Sequence, residues 1–232
     1  MARFRGLKQH VETLLRAEDW RERLAELEQE SAKSLLGPLF SFLIHGDELR
    51  WRAVTAFGPT VSRLAGDSME EARVVMRRFM WNLNEESGSL GWGSPEAMGE
   101  VLACHDKLAD EFHKVLVSYI HDTGKASNYI DHAPLRLGGF WGVGRLCHAR
   151  PLLMDHAVEP LLAGLVDDEN PAIPGMAAWA LAPLRAEQAK GALTQLLDRD
   201  EQVDLFRDGV LETVAVGDLA RETLSALDAP IE

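Results

Sequence analysis

Apolar residues in this chain recur every three to four positions in segment after segment, the spacing that gathers them on one face of an α-helix. The segments are AKSLLGPLFSFLI (32–44), SMEEARVVMRRFMWNL (68–83), HDKLADEFHKVLVSYI (105–120), RPLLMDHAVEPLLAGL (150–165), AEQAKGALTQLL (186–197) and VGDLARETLSAL (216–227). Strand-like alternation is nearly absent, so the pattern predicts an all-α chain. Helix starts are marked by Asp47 and Asp67, each after a glycine, and by Ser94 ahead of Pro95. Short acceptor side chains cap orphan N–H groups, and proline suits the first helical turn.

Between these segments a second pattern repeats. WRAVTAFG, WGSPEAMG, LGGFWGVG and GMAAWALA begin at residues 51, 92, 137 and 175, a period of about forty residues. The third and sixth positions are small in every copy: Ala53 and Ala56, Ser94 and Ala97, Gly139 and Gly142, Ala177 and Ala180. The seventh is large and apolar, and the eighth is Gly or Ala. Small residues on one face let neighbouring helices approach closely. FRDGVLET (206–213) reads as a weaker fifth copy.

A helix pair of this length, with a small-apolar-x-small-apolar-Gly/Ala helix, resembles the HEAT repeat and, in its short bacterial form, the PBS-lyase HEAT-like repeats. The resemblance spans roughly residues 31–228. It implies a right-handed α-α solenoid of about five pairs, with about eleven to thirteen helices in all. Residues 1–30, charged and amphipathic, are expected as a helical cap on residues 31–232 within a single domain, because exposed solenoid ends need a polar cover. The resemblance implies scaffolding more often than catalysis, the lyase label notwithstanding.

In such a stack one helix of each pair lines a concave face. Counting within each block places Arg52, then Glu96 and Glu100, then Trp141, Arg145 and His148, then Trp179 on that face. Tryptophan beside arginine is the composition of a binding hot spot. The plainer alternative is that Trp141 and Trp179 fill the layer between helices while an acid pairs with Arg145. One connection stands out: NEESGSLGWG (84–93) is longer and richer in glycine than an ordinary turn. Trp81 and Trp92 are expected to anchor it, presenting Glu85 and Glu86 beside Glu96.

Composition narrows the chemistry. The chain is 46% hydrophobic and 26% charged, with net charge −13. That balance is globular, and it opposes binding to a phosphate backbone. No apolar run has the length of a membrane span, and the charged N-terminus does not resemble a secretion signal. Two cysteines, Cys104 and Cys147, imply no disulfide framework and a reducing cytoplasm. The pairs Cys104-His105 and Cys147-His148 are out of register for a shared metal, so no metal and no cofactor is expected. No Walker loop, GxSxG or HExxH is present, and the His-Glu dipeptides of the di-iron HEAT hydroxylases are missing. The expectation is a non-enzymatic cytoplasmic scaffold that holds another protein or peptide in its concave groove. The alternative is an enzyme or small-ligand binder with a polar pocket of Glu96, Glu100, Arg145 and His148.

Overall fold

The computed structural model describes residues 2–84, 91–124 and 128–229, with side chains from residue 5 onward. The described residues form twelve α-helices and one β-hairpin, and the chain divides into two compact units, residues 1–108 and 109–232.

The first unit holds α1 (Ala2–Arg16), the single turn α2 (Trp20–Arg23), α3 (Ala32–Phe42), α4 (Glu48–Asp67), α5 (Met69–Asn84) and α6 (Ser94–Cys104). Most of residues 2–29 is helical, and α1 lies against α3 and α4. Ser31 caps α3 by accepting from the Ser34 amide, and Asp47 caps α4 by accepting from Leu49 at 3.1 Å. Asp67 is not a cap: α4 runs through it, and Ser68 accepts from the Glu71 amide at the start of α5 instead. Ser94 does not cap either. Gly93 takes that place at φ 73°, and a Cβ there would lie 2.9 Å from the Leu43 carbonyl oxygen. Only glycine meets both conditions without strain.

α4 is the hub of this unit and packs on α3, α5 and α6. Its Phe57 meets Phe40 and Phe79 with ring centres 4.9 and 5.2 Å apart, which places one aromatic knot from three helices at the centre of the core. The small-residue columns behave as the repeat pattern demands. Ala53, Ala56, Gly58 and Ala97 are buried, and a Cβ on Gly58 would lie 2.6 Å from the Cys104 sulfur.

The second unit takes in most of α7 (Asp106–Ser118), then α8 (Ala133–Ala149), α9 (Val158–Gly164), α10 (Ile173–Leu181), α11 (Lys190–Leu196) and α12 (Val216–Asp228). α10 is the counterpart of α4: all nine of its residues are buried, against α8, α9 and α12. The expected helix over 150–165 is shorter than its periodicity, since two 3-10 turns at Pro151–Leu153 and Asp155–Ala157 precede α9.

The fifth copy of the repeat pattern does not form. Residues 206–213 belong to an antiparallel hairpin of β1 (Gln202–Arg207) and β2 (Val210–Ala215), in which Arg207 pairs with Val210. Asp208 and Gly209 make the two-residue turn with φ of 52° and 76°. Two positive φ values in succession define the turn whose twist matches paired strands, and Asp-Gly is among its preferred dipeptides.

Candidate binding site

The residues expected on a concave face fall in both units. In the first, α4 and α6 meet along a polar seam. Arg50, Gly58 and Ser62 on one helix share it with Glu96, Glu100 and Cys104 on the other, because each set repeats at helical spacing. The Cys104 thiol lies 3.4 Å from a Glu100 carboxylate oxygen, and Ser62 donates to the Cys104 carbonyl at 3.2 Å. Glu96 and Glu100 are buried, at 4% and 7% exposure. Glu96 Oε2 has no hydrogen-bond partner among the described residues. Burial pushes the Glu96 carboxyl pKa up, and the nearby Arg50 charge opposes that only in part. Arg52 donates to the carbonyls of Leu15 and Ala17 at 2.9 and 3.1 Å, pairs with Glu48 and lies over the Trp20 ring. It fastens the N-terminal helices rather than presenting a free cation.

In the second unit α8 and α10 bring Trp141, Arg145, His148 and Trp179 together. The two indoles stack at 6.4 Å, and the His148 ring lies flat on Trp179 at 4.7 Å and 22°. Trp141 donates from its indole N–H to the Phe206 carbonyl at 2.8 Å, which ties α8 to the hairpin. His148 Nε2 is 3.0 Å from the Trp179 carbonyl oxygen. Although the His148 residue keeps contact with solvent, burial of its ring lowers its pKa, with the Arg145 charge adding to the effect and the bond to the Trp179 carbonyl opposing it.

These positions correct the expectation of an open aromatic groove. Trp141 and Trp179 are core side chains, at 2% and 7% exposure, as the plainer alternative held. An indole so large is drawn inward wherever a small-residue column leaves room, and Gly144 leaves that room for Trp179. Glu96 and Glu100 are likewise buried, so of the described members of the expected set His148 is exposed while Arg52 and Arg145 are half-buried. Trp81 is not an anchor: it is 56% exposed on α5, whereas Trp92 is half-buried. Glu85 and Glu86 lie outside the described residues. Burial also raises the Cys147 thiol pKa, and Cys104 is the exposed thiol. Among the described residues no three His, Cys, Asp or Glu side chains group to hold a metal, and no helix is long and apolar enough to cross a membrane.

One feature of the second unit was not anticipated. Two adjoining recesses, of about 190 and 670 Å³, share His121 and Glu159 as a common wall. The smaller is lined by Tyr129, Arg136, Phe140 and Asp167, the larger by Lys114, Asp155, His156 and Gln188. Arg136, 1% exposed, is the fixed floor. It donates to the Ile130 and Asp131 carbonyls, pairs with Asp167 at 3.2 Å and Glu169 at 2.5 Å, and sits over the Tyr129 ring. Beside the larger recess His113 and His156 meet edge to face at 4.7 Å. Burial lowers both imidazole pKa values, and each has a cation nearby that adds to the effect. One signal in the sequence pointed here. The connection between α7 and α8, residues 119–132, is longer than the 84–93 stretch, and long connections carry function more often than short ones.

Comparison with known proteins yields fold but no family. No family model matches the chain, and no curated protein is similar to it. Solved structures are similar to it over nearly its whole length, and two serve as examples. One is a designed armadillo repeat protein in complex with the peptide (KR)4, at 14% identity and a TM-score of 0.50, covering 94% of this chain and 98% of that one. The other is an engineered protein at 17% identity and a TM-score of 0.51, covering 95% and 98% respectively. The likeness shows the fold alone, a helical-repeat architecture.

Proposed function

We propose that this chain is a non-enzymatic helical-repeat module of the HEAT type, working in the cytoplasm, that holds a segment of a protein partner in the cleft of its second unit. The observation that carries this reading is the pair of adjoining recesses sharing His121 and Glu159. Two adjoining recesses in succession suit an extended segment better than a single compact substrate. The peptide held by the designed armadillo protein of similar fold is consistent with it.

The test is photo-crosslinking in native lysate from a benzophenone amino acid placed at Gln188, in the cleft wall, or at the exposed Thr194 on α11. Discrete protein adducts from position 188 and none from 194 are expected. Equal or absent adducts would refute the reading. A second reading, a polar small-ligand pocket, has the unpartnered Oε2 of Glu96 in its favour. Small amides or amines that raise the melting temperature of the wild type but not of Glu96→Gln would support it instead.

A further inference from the structure

We infer that the cleft of the second unit selects the basic side chains, lysine or arginine, of an extended peptide; this rests on the protein-binding reading above and names its partner chemistry. The inference follows from which charges in the cleft are already spent. Arg136 is committed to Asp167 and Glu169. Asp122, Asp155 and Glu159 line the same two recesses and make no ion pair among the described residues, nor does Lys114. Three uncommitted carboxylates thus face one uncommitted ammonium. Asp122 is fixed in place because its Oδ1 accepts from the Gly124 amide at 2.8 Å, leaving its second oxygen for a ligand.

The surroundings suit a long cationic side chain. The smaller recess, about 190 Å³, is the size of one such side chain and has Tyr129 and Phe140 in its wall. An aromatic wall accepts the aliphatic stem and favours the cation at its tip. Arg136 over Tyr129, with the ring 4.9 Å away and carboxylates at the guanidinium, is an example of the same recognition within the chain. An acidic partner is disfavoured, since the one buried guanidinium is engaged and the free carboxylates repel it.

A second feature separates a peptide from a free polyamine. Arg136 lines the recess, and its buried Nε–H has no acceptor among the described residues. A buried donor without an acceptor costs free energy that a ligand carbonyl can restore. A peptide backbone supplies carbonyls; a protonated polyamine has none. The occupant is therefore a peptide segment with basic side chains.

Fluorescence anisotropy tests this on the full chain at near-physiological salt, where long-range attraction to the net negative protein is screened. The probes are labelled octapeptides of alternating Arg-Ser, Glu-Ser and Gln-Ser, with spermine as competitor. Two double variants remove the same charge: Asp122→Asn with Glu159→Gln in the cleft, and Asp198→Asn with Asp200→Asn on exposed sites outside it. The Arg-Ser peptide is expected to bind at least tenfold more tightly than the others. The cleft variant should weaken it by about tenfold, the combined effect of two partly exposed charge pairs, and the distal variant by less than twofold. Equal weakening by both variants, displacement by spermine at the concentration of the peptide's own Kd, or no preference for the basic probe would each overturn the inference. Should crosslinking from position 188 yield a partner that the Arg-Ser peptide does not displace, the protein-binding reading stands and this inference falls alone.

Discussion

Replacing Gly144 by alanine tests whether the small-residue columns exist to let helices touch. A Cβ at that position would stand 2.7 Å from Cε3 of Trp179, closer still to Cζ3, and 3.0 Å from the Ala180 Cβ. The indole has little freedom to retreat, because it is 7% exposed and lies between the His148 ring and Trp141. Overpacking of this kind costs about 1–3 kcal/mol, while the gain in helix propensity from Gly to Ala returns up to about 1 kcal/mol. The net expectation for Gly144→Ala is a loss of about 1–2 kcal/mol, or about 2–8 °C in melting temperature for a chain of this size. Gly58→Ala should be milder. Its nearest obstacle, at 2.6 Å, is the Cys104 sulfur, the end of an exposed side chain that can swing aside, though Glu100 at 3.2 Å is less free. Gly191→Ala on α11 meets nothing within 4 Å and should stabilise by up to about 1 kcal/mol. Urea unfolding with tryptophan fluorescence measures all three. If Gly144→Ala is as stable as Gly191→Ala, close helix approach is not why the repeat keeps glycine there.

Three further outcomes follow from buried charge. Burial raises the Glu96 pKa, so its stability contribution is complete below the ordinary glutamate value near ~4.3 and is lost as pH rises through the folded pKa. Glu96→Gln should therefore be more stable than the wild type at neutral pH and should flatten the stability profile above pH ~4; an unchanged profile would show that the carboxyl is solvated. The pKa values of His113 and His156 are depressed, so their contribution is present above the ordinary histidine value near ~6.5 and is lost as pH falls through the folded values. Melting temperatures from pH 7.5 down to 5 should fall less steeply in His113→Gln than in the wild type, and parallel curves would count against the pair. Arg136→Met leaves Asp167 nearly buried and unpaired while Glu169 returns to solvent, so the loss should sit near the low end of the ~3–5 kcal/mol range for a broken buried pair. A loss under about 1 kcal/mol by chemical denaturation would show that the floor of the cleft is not built on that guanidinium.

The amino-acid sequence by itself determined the helices and where they touch. Periodicity of three to four placed α3, α5, α7 and α12 to within a few residues, and the small-residue blocks marked the buried faces around Gly58, Gly144 and α10. Both signals are local: a helix face is written in consecutive residues, and a close contact requires a small side chain whichever neighbour arrives. The hairpin was also legible, because Asp208-Gly209 between VDLFR and VLETVA is a turn signal between alternating segments. The apparent fifth repeat concealed it. What only the tertiary structure decided is which side of each helix meets water. Trp141 and Trp179 sit at helical spacing that suits a groove or a core equally well, and for Trp179 the glycine opposite, not the tryptophan, settles the choice. Glu96 went inward for the same reason, since position along α6 sets a direction and the packing of α4 against it sets the burial. The cleft was least legible of all. Lys114, His121, Arg136, Glu159 and Asp167 are scattered over more than one helix and the connections between them, and their charges acquire meaning only when folding decides which are paired and which face an open space.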